Sequence, residues 1–120
     1  MLFSMLGFSC KKGPGDGGTS TIKGKVYAMD YNGSGQLQGE FYSPEERVYL
    51  IYGDGDFYGM DTRTSFDGSY EFPFLLKGSY TVFAYSNCDT CASGTIAVKI
   101  TTDISKNNST VELPDLVIRK

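Results

Sequence analysis

The sequence predicts an all-β domain, a two-sheet β-sandwich of about seven strands. From Thr21 onward, apolar residues recur at every second position through most segments, which is the period of a strand with one buried face. The 120 residues include 15 glycines, 9 tyrosines and 8 phenylalanines, a composition typical of short strands joined by tight turns. No competing helix of more than one turn is indicated. A chain of this length suffices for one domain with one core.

The first predicted strand has one apolar and one polar side. In the stretch TIKGKVYAM, Ile22, Val26 and Ala28 alternate with Lys23 and Lys25, so we expect the lysines to point outward. A long polar excursion, Asp30–Glu46, follows and is interpreted as a loop. The next run, RVYLIYG, is mostly apolar, which is typical of a strand covered on both faces.

The last third of the chain is predicted to form two more strand regions. SGTIAVKITTD places Ile96, Val98 and Ile100 on one face, and STVELPDLVIRK closes the domain. Because Pro114 has no N–H to donate, the final strand should lie at an edge or contain a bulge there. A change of phase between Leu113 and Leu116 also predicts a bulge.

One stretch in the middle resembles a known family. Thr64–Val82 reads T-x-x-D-G-x-Y-x-F-x-x-L-x-x-G-x-Y-x-V, and with the opening IKGKVY it resembles the carboxypeptidase-regulatory-like domains, which are transthyretin-like β-sandwiches. The resemblance implies a hairpin turn at Asp67-Gly68 and core positions at Tyr70, Phe72 and Leu75. A motif of turn and core residues implies a fold and no particular substrate. Transthyretin-like hydrolases of purine breakdown rely on histidines, and this chain has none.

The first twenty residues resemble a bacterial lipoprotein leader. MLFSMLGFSC is apolar up to Phe8, and the small Ser9 precedes Cys10, the residue that would be lipidated. We therefore interpret residues 1–9 as a signal peptide that lacks its basic start, residues 10–20 as the lipidated cysteine and a flexible Gly-rich tether, and residues 21–120 as the sandwich. The alternative is an ordinary apolar strand with a buried cysteine.

Cys88 and Cys91 are predicted to form a disulfide in a loop after a strand. As zinc ligands they lack a second cysteine pair or any histidine. As a redox centre they would need a helix N-terminus or a nearby cation, and Asp89 between them works against a lowered thiol pKa. Outside the cytoplasm, a disulfide is the stable state of such a pair.

An aromatic platform is the candidate binding surface. Tyr49, Phe57, Phe83 and Tyr85 are expected on outward faces, where contiguous rings would bind a carbohydrate or a protein. The alternative is that the Asp30–Glu46 excursion covers this face. The aspartates of YGDGDFYGMD lack the spacing and the distal glutamate of a calcium loop, so no metal is expected.

The remaining observations limit the function classes. The formal charge of −3 and the lack of a basic patch argue against a nucleic-acid partner. Without histidine, the usual Ser-His-Asp and Cys-His systems are impossible. We therefore expect no catalytic residues and no cofactor. The expected function is that of a non-enzymatic, lipid-anchored structural or binding module at the bacterial envelope, facing the periplasm or the cell surface. The alternative is a thiol oxidoreductase or a metal-dependent enzyme that uses Cys88 and Cys91.

Overall fold

Two β-sheets pack face to face in the computed structural model, which describes residues 13–120. This part of the chain has nine strands, where about seven were predicted, and it has no helix that could cross a bilayer. The strands are β1 (Asp16–Tyr31), β2 (Leu37–Tyr42), β3 (Arg47–Tyr52), β4 (Met60–Arg63), β5 (Ser69–Leu75), β6 (Gly78–Asn87), β7 (Thr95–Ile104), β8 (Thr110–Glu112) and β9 (Leu116–Arg119).

The long strand β1 is the centre of a five-stranded sheet. Its first half pairs with β5 and its second half with β2, both antiparallel. Strands β8 and β9 pair with β1 in parallel, so that Ile22 lies between Phe72 and Val111. The second sheet has four antiparallel strands in the order β4-β3-β6-β7.

The core lies between the inward faces of the two sheets, as the alternation predicted. Phe72, Leu75 and Tyr80 are among its largest fully buried side chains. Burial of the central motif is therefore confirmed. The other buried apolar residues of this core are Ile22, Val26, Ala28, Val48, Leu50, Tyr70, Val82, Ala84, Ile104, Leu113, Leu116 and Ile118.

The predicted irregularity near Pro114 is confirmed. Lys23 pairs with Glu112, whereas Val26 pairs with Leu116, so the register of β1 shifts by one residue between β8 and β9. Because of this extra residue, Leu113 and Leu116 are both buried although their positions are out of phase.

Two connections differ from the prediction. The Asp30–Glu46 excursion contains β2, whose residues are mostly exposed and which is held by backbone pairing with β1. The Asp67-Gly68 turn joins β4 of one sheet to β5 of the other and is not a hairpin. Gly68 is still required there, because its φ is 82° and a Cβ would lie 2.6 Å from that of Tyr42.

The Gly-rich segment also differs from the prediction of a tether over residues 10–20. Strand β1 begins at Asp16, and Gly15 is buried, with its carbonyl oxygen accepting a hydrogen bond from the N–H of Leu76 at 2.8 Å. Residues 15–20 are therefore part of the folded domain. The predicted signal peptide and the lipidation of Cys10 lie outside the described residues and stay predictions.

Candidate functional site

Four aromatic rings form a continuous group on the outward face of the four-stranded sheet. Tyr49 of β3 stacks on Phe83 of β6, with ring centroids 4.8 Å apart and planes 14° apart. Tyr85 lies edge-on to both rings, 5.6 Å from Tyr49 and 5.5 Å from Phe83. Tyr58 contacts Tyr49 from the other side at 4.7 Å. We call these four residues the outer aromatic cluster.

Strand alternation and register bring three of the rings together. Val48 and Leu50 face the core, so Tyr49 must point outward, and the antiparallel register places it directly opposite Phe83. Tyr85 follows Phe83 by two positions and therefore lies on the same face. Such cross-strand aromatic pairs contribute roughly 0.2–1 kcal/mol each to the sheet.

A tight loop after β3 supplies the fourth ring. The chain turns at Gly53, where φ is 60°. It comes back to β3 at Gly59, whose N–H donates a hydrogen bond to the carbonyl of Leu50 at 2.9 Å. Gly59 itself cannot be larger, because a Cβ there would lie 2.4 Å from the ring of Tyr52. This loop presses Tyr58 against Tyr49.

The cluster exposes ring surface to solvent although its base is buried. Phe83 is only 8% exposed, whereas Tyr58 is 50% and Tyr85 48% exposed. Phe83 points away from the core, so its low exposure is due to the neighbouring rings of Tyr49 and Tyr85. The excursion that could have covered this face pairs with β1 in the other sheet, so the face stays open. The prediction that β3 is covered on both faces is therefore wrong, since only Val48 and Leu50 of this strand are fully buried.

Polar groups lie beside the rings. Arg47 forms an ion pair with Asp61 at 2.7 Å, and Asp61 lies directly across from Tyr49. Lys99 of β7 lies across from Phe83 on the other side. Burial raises the pKa of Tyr49, although the nearby Arg47 opposes this shift, so its hydroxyl is protonated at neutral pH.

One residue of the predicted binding surface falls outside the cluster. Phe57 is 86% exposed and makes none of the ring contacts seen among residues 13–120. Its neighbour Tyr58 takes the place expected for it. Of the residues proposed for this surface, the structure brings Tyr49, Phe83 and Tyr85 together. The glycines at both ends of this loop indicate a tight turn. They do not indicate which of the two aromatic residues, Phe57 or Tyr58, packs against Tyr49.

The predicted disulfide between Cys88 and Cys91 is present, with Cα atoms 5.4 Å apart. It lies in a compact loop in which the N–H of Cys88 bonds the carbonyl of Gly94 at 2.9 Å, and that of Gly94 bonds the carbonyl of Cys91 at 3.0 Å. The described part of the chain contains no group of three histidine, cysteine or acidic residues that could hold a metal ion. The loop that contains this bond joins β6 to β7 at one end of the sandwich.

Two other surface features lie outside the outer aromatic cluster. A depression of about 340 Å³ lies where β1, β4 and β5 meet, and charged side chains such as Lys23, Lys25 and Glu71 line it. On the outward face of the other sheet, Tyr27 and Tyr42 form an edge-on pair at 5.1 Å. Because carboxylates already accept hydrogen bonds from both of these tyrosine hydroxyls, this pair is less available than the outer aromatic cluster.

Comparison with known proteins shows a structural likeness but no family. No family model and no curated protein matches the sequence. The fold is similar to the crystal structure of a protein from Pseudomonas aeruginosa that is described as a "putative carbohydrate binding protein". The TM-score is 0.51 with 16% sequence identity, and the match covers 98% of this chain and 97% of the other. This likeness shows a shared all-β two-sheet fold.

Proposed function

We propose that this chain is a non-enzymatic carbohydrate-binding β-sandwich, held at the bacterial cell envelope by a lipid on Cys10. The observation that carries the binding role is the outer aromatic cluster, whose four rings lie between 4.7 and 5.6 Å from their neighbours on an uncovered face. The fold shared with a protein described as a "putative carbohydrate binding protein" supports the same role at the level of architecture.

Such a cluster has the chemistry that a sugar requires. One face of a pyranose ring presents C–H groups that pack on an aromatic ring, while its hydroxyls need hydrogen-bonding partners at the edge. The half-exposed Tyr58 and Tyr85 offer the apolar surface. The neutral hydroxyl of Tyr49 and the Arg47–Asp61 pair supply donors and acceptors nearby. This combination favours a weak, open platform over a deep pocket.

A non-enzymatic role is part of this proposal. It is supported by a sequence without histidine and by the engagement of Cys88 and Cys91 in a disulfide, which removes both thiols from nucleophilic or metal-binding work. We further propose that the domain is of the carboxypeptidase-regulatory-like, transthyretin-like type, on the strength of the Thr64–Val82 motif.

Lipidation at Cys10 would orient the domain on the membrane. Gly15 is held in the fold and follows Cys10 by five positions, so at most about 18 Å of extended chain separates it from the lipidated residue. Strand β6 starts at Gly78, against Pro14, and runs for about 30 Å toward the disulfide loop. We propose that the Gly15 end faces the membrane and the disulfide end points away from it.

Binding can be tested with neutral and charged soluble polysaccharides in affinity gel electrophoresis. Tyr58→Ala and Tyr85→Ala should each weaken retardation about tenfold, as expected when an exposed aromatic anchor is removed. Phe66→Ala is the matched control, because Phe66 is 90% exposed and lies outside the cluster. The proposal fails if no polysaccharide retards the wild-type protein, or if the control loses as much binding as the cluster variants.

The anchor needs a separate test on native material. The intact mass of protein extracted from membranes should show a diacylglyceryl adduct and the loss of residues 1–9. A Cys10→Ser variant should then be released into the soluble fraction. Native protein that keeps an unmodified Met1, with the gene start verified, would contradict lipidation while leaving carbohydrate binding open.

A further inference from the structure

We propose that the glycan recognised by the outer aromatic cluster is a polyuronate, a polysaccharide whose sugars bear carboxylates. This inference rests on the proposed carbohydrate binding and specifies its ligand class. The charges that lie around the rings, and their order across the sheet, favour such a ligand.

The rings and their flanking charges follow the register of the four strands. Asp61 of β4 pairs with Tyr49, Tyr49 with Phe83, and Phe83 with Lys99, so these residues form one row across the sheet. The stacked rings therefore lie at the centre of the row, with an acid at one end and an amine at the other. Neighbouring strands are about 4.8 Å apart, which gives the row a width of about 14 Å.

Positive charge predominates next to the rings. The one acid of the row, Asp61, is already paired with Arg47. Arg63 lies across from Arg47 on the edge strand, and Lys99 flanks Phe83. Neither Arg63 nor Lys99 makes an ion pair within the described residues 13–120. Two cations on opposite sides of the cluster are thus available to an anionic ligand.

Among the other acids, Asp54 and Asp103 lie toward the far end of the sheet, whereas Glu71 and Glu112 line the depression that Arg63 also lines. Asp103 is four residues along β7 from Lys99, or about 13 Å, and accepts a hydrogen bond from the hydroxyl of Ser79 at 2.8 Å. Asp54 lines the same shallow depression as Asp103. Asp56 belongs to the exposed loop beside Phe57. The face is therefore polar, with its cationic part around Arg47, Arg63 and Lys99.

This arrangement fits an acidic sugar better than an acidic peptide. A uronate unit offers a flat C–H face for the exposed rings and, at its edge, a carboxylate for a guanidinium or an amine. An aspartate- or glutamate-rich peptide would meet the cations but has no comparable apolar face for Tyr58 and Tyr85. Complementary charge then acts with stacking to select the ligand.

The test compares polygalacturonate with the same polymer after methyl esterification, using the full chain at one ionic strength. Because esterification removes the charge and keeps the sugar backbone, the esterified polymer should bind about three- to tenfold more weakly. The difference should shrink as salt is raised, since exposed charges are screened. Lys99→Gln and Arg63→Gln should each reduce the preference, whereas Lys106→Gln, an exposed lysine in the turn after β7, should not.

The outcomes separate this inference from the proposed function. Equal binding of both polymers, lost in Tyr85→Ala, would overturn the polyuronate preference and leave carbohydrate binding standing. Failure of every polysaccharide to bind would overturn both. Poly-glutamate binding as tight as that of polygalacturonate would show that charge alone attracts the ligand, and would likewise overturn the inference.

Discussion

The hydroxyl oxygen of Tyr80 accepts a hydrogen bond from the backbone N–H of Gly15 at 2.8 Å, across 65 residues of sequence. The same hydroxyl donates to the carbonyl oxygen of Leu76 at 2.6 Å. Tyr80 is 1% exposed, so these bonds lie inside the domain, where unpaired polar groups are costly. A core residue of the central motif thereby holds the start of β1 in place.

Tyr80→Phe is expected to destabilise the domain by about 1–3 kcal/mol. The ring stays in the core, but the buried N–H of Gly15 loses its acceptor and the partly buried carbonyl of Leu76 loses its donor. Urea unfolding measures the change. Amide exchange at Gly15 should rise more than exchange at β6. Unchanged stability together with unchanged exchange would show that this bond does not hold the segment.

Tyr70→Phe is expected to stabilise the domain or to leave its free energy of unfolding unchanged, in contrast to Tyr80→Phe. The Tyr70 hydroxyl is buried and has no hydrogen-bond partner among residues 13–120, and burial raises its pKa well above the ordinary value. Removing an unsatisfied hydroxyl relieves a desolvation penalty, so a gain of up to about 1–2 kcal/mol is expected in the same urea experiment. A loss comparable to that of Tyr80→Phe would contradict this account.

Phe72→Ala should cost about 3–5 kcal/mol, because the ring is fully buried and its removal leaves a cavity. The variant is compared with Phe74→Ala in thermal and urea unfolding. Phe74 is 68% exposed on the same strand, so its loss should change stability far less. Similar melting of both variants would mean that the faces of β5 are assigned wrongly.

The Asp67 turn predicts a specific acid sensitivity. Hydrogen bonds from the hydroxyl and then the backbone N–H of Ser69 lower the pKa of Asp67 below its usual value. Its contribution to stability is therefore present above the unfolded-state pKa, near 3.8, and is lost as the pH falls through the folded value. Asp67→Asn should lose less stability than wild type between about pH 5 and pH 2.

The control for this acid experiment is Asp56→Asn. Asp56 is an exposed loop carboxylate that makes no hydrogen bond within the described residues. Its stability profile should follow that of the wild-type protein through the acid range. If Asp67→Asn follows the same profile, the turn does not contribute to the acid transition.

Alternation predicted the faces of the strands because burial on one side imposes a period of two. It placed Phe72 inside and Tyr49, Phe83 and Tyr85 outside. It could not predict β2, whose residues are mostly exposed and so carry no burial pattern. It also missed the ordering of Gly15, because that depends on a hydroxyl 65 residues away. It also could not show that Tyr58 joins the cluster in place of Phe57, because this depends on the geometry of the turn and not on the alternation of a strand.

The disulfide should stabilise one loop more than the whole domain. Cys88 and Cys91 are three residues apart, and closing so small a ring removes little entropy from the unfolded chain. The double serine variant should therefore still fold, with a loss of about 2 kcal/mol or less. Backbone hydrogen bonds from Cys88 to Gly94 and from Gly94 to Cys91 remain to hold the turn.

Local exchange distinguishes this structural role from a chemical one. In the serine variant, amide exchange at Asp89 and Thr90 should rise, while exchange in the core strands stays close to that of wild type. Retardation by polysaccharide should persist, because Tyr85 is held by its strand pairing with Ala97 as well as by the loop. A redox role requires instead that the wild-type protein turns over a dithiol substrate, with a reduction potential well above that of structural disulfides. Such turnover, lost in the variant, would replace the structural interpretation of this loop.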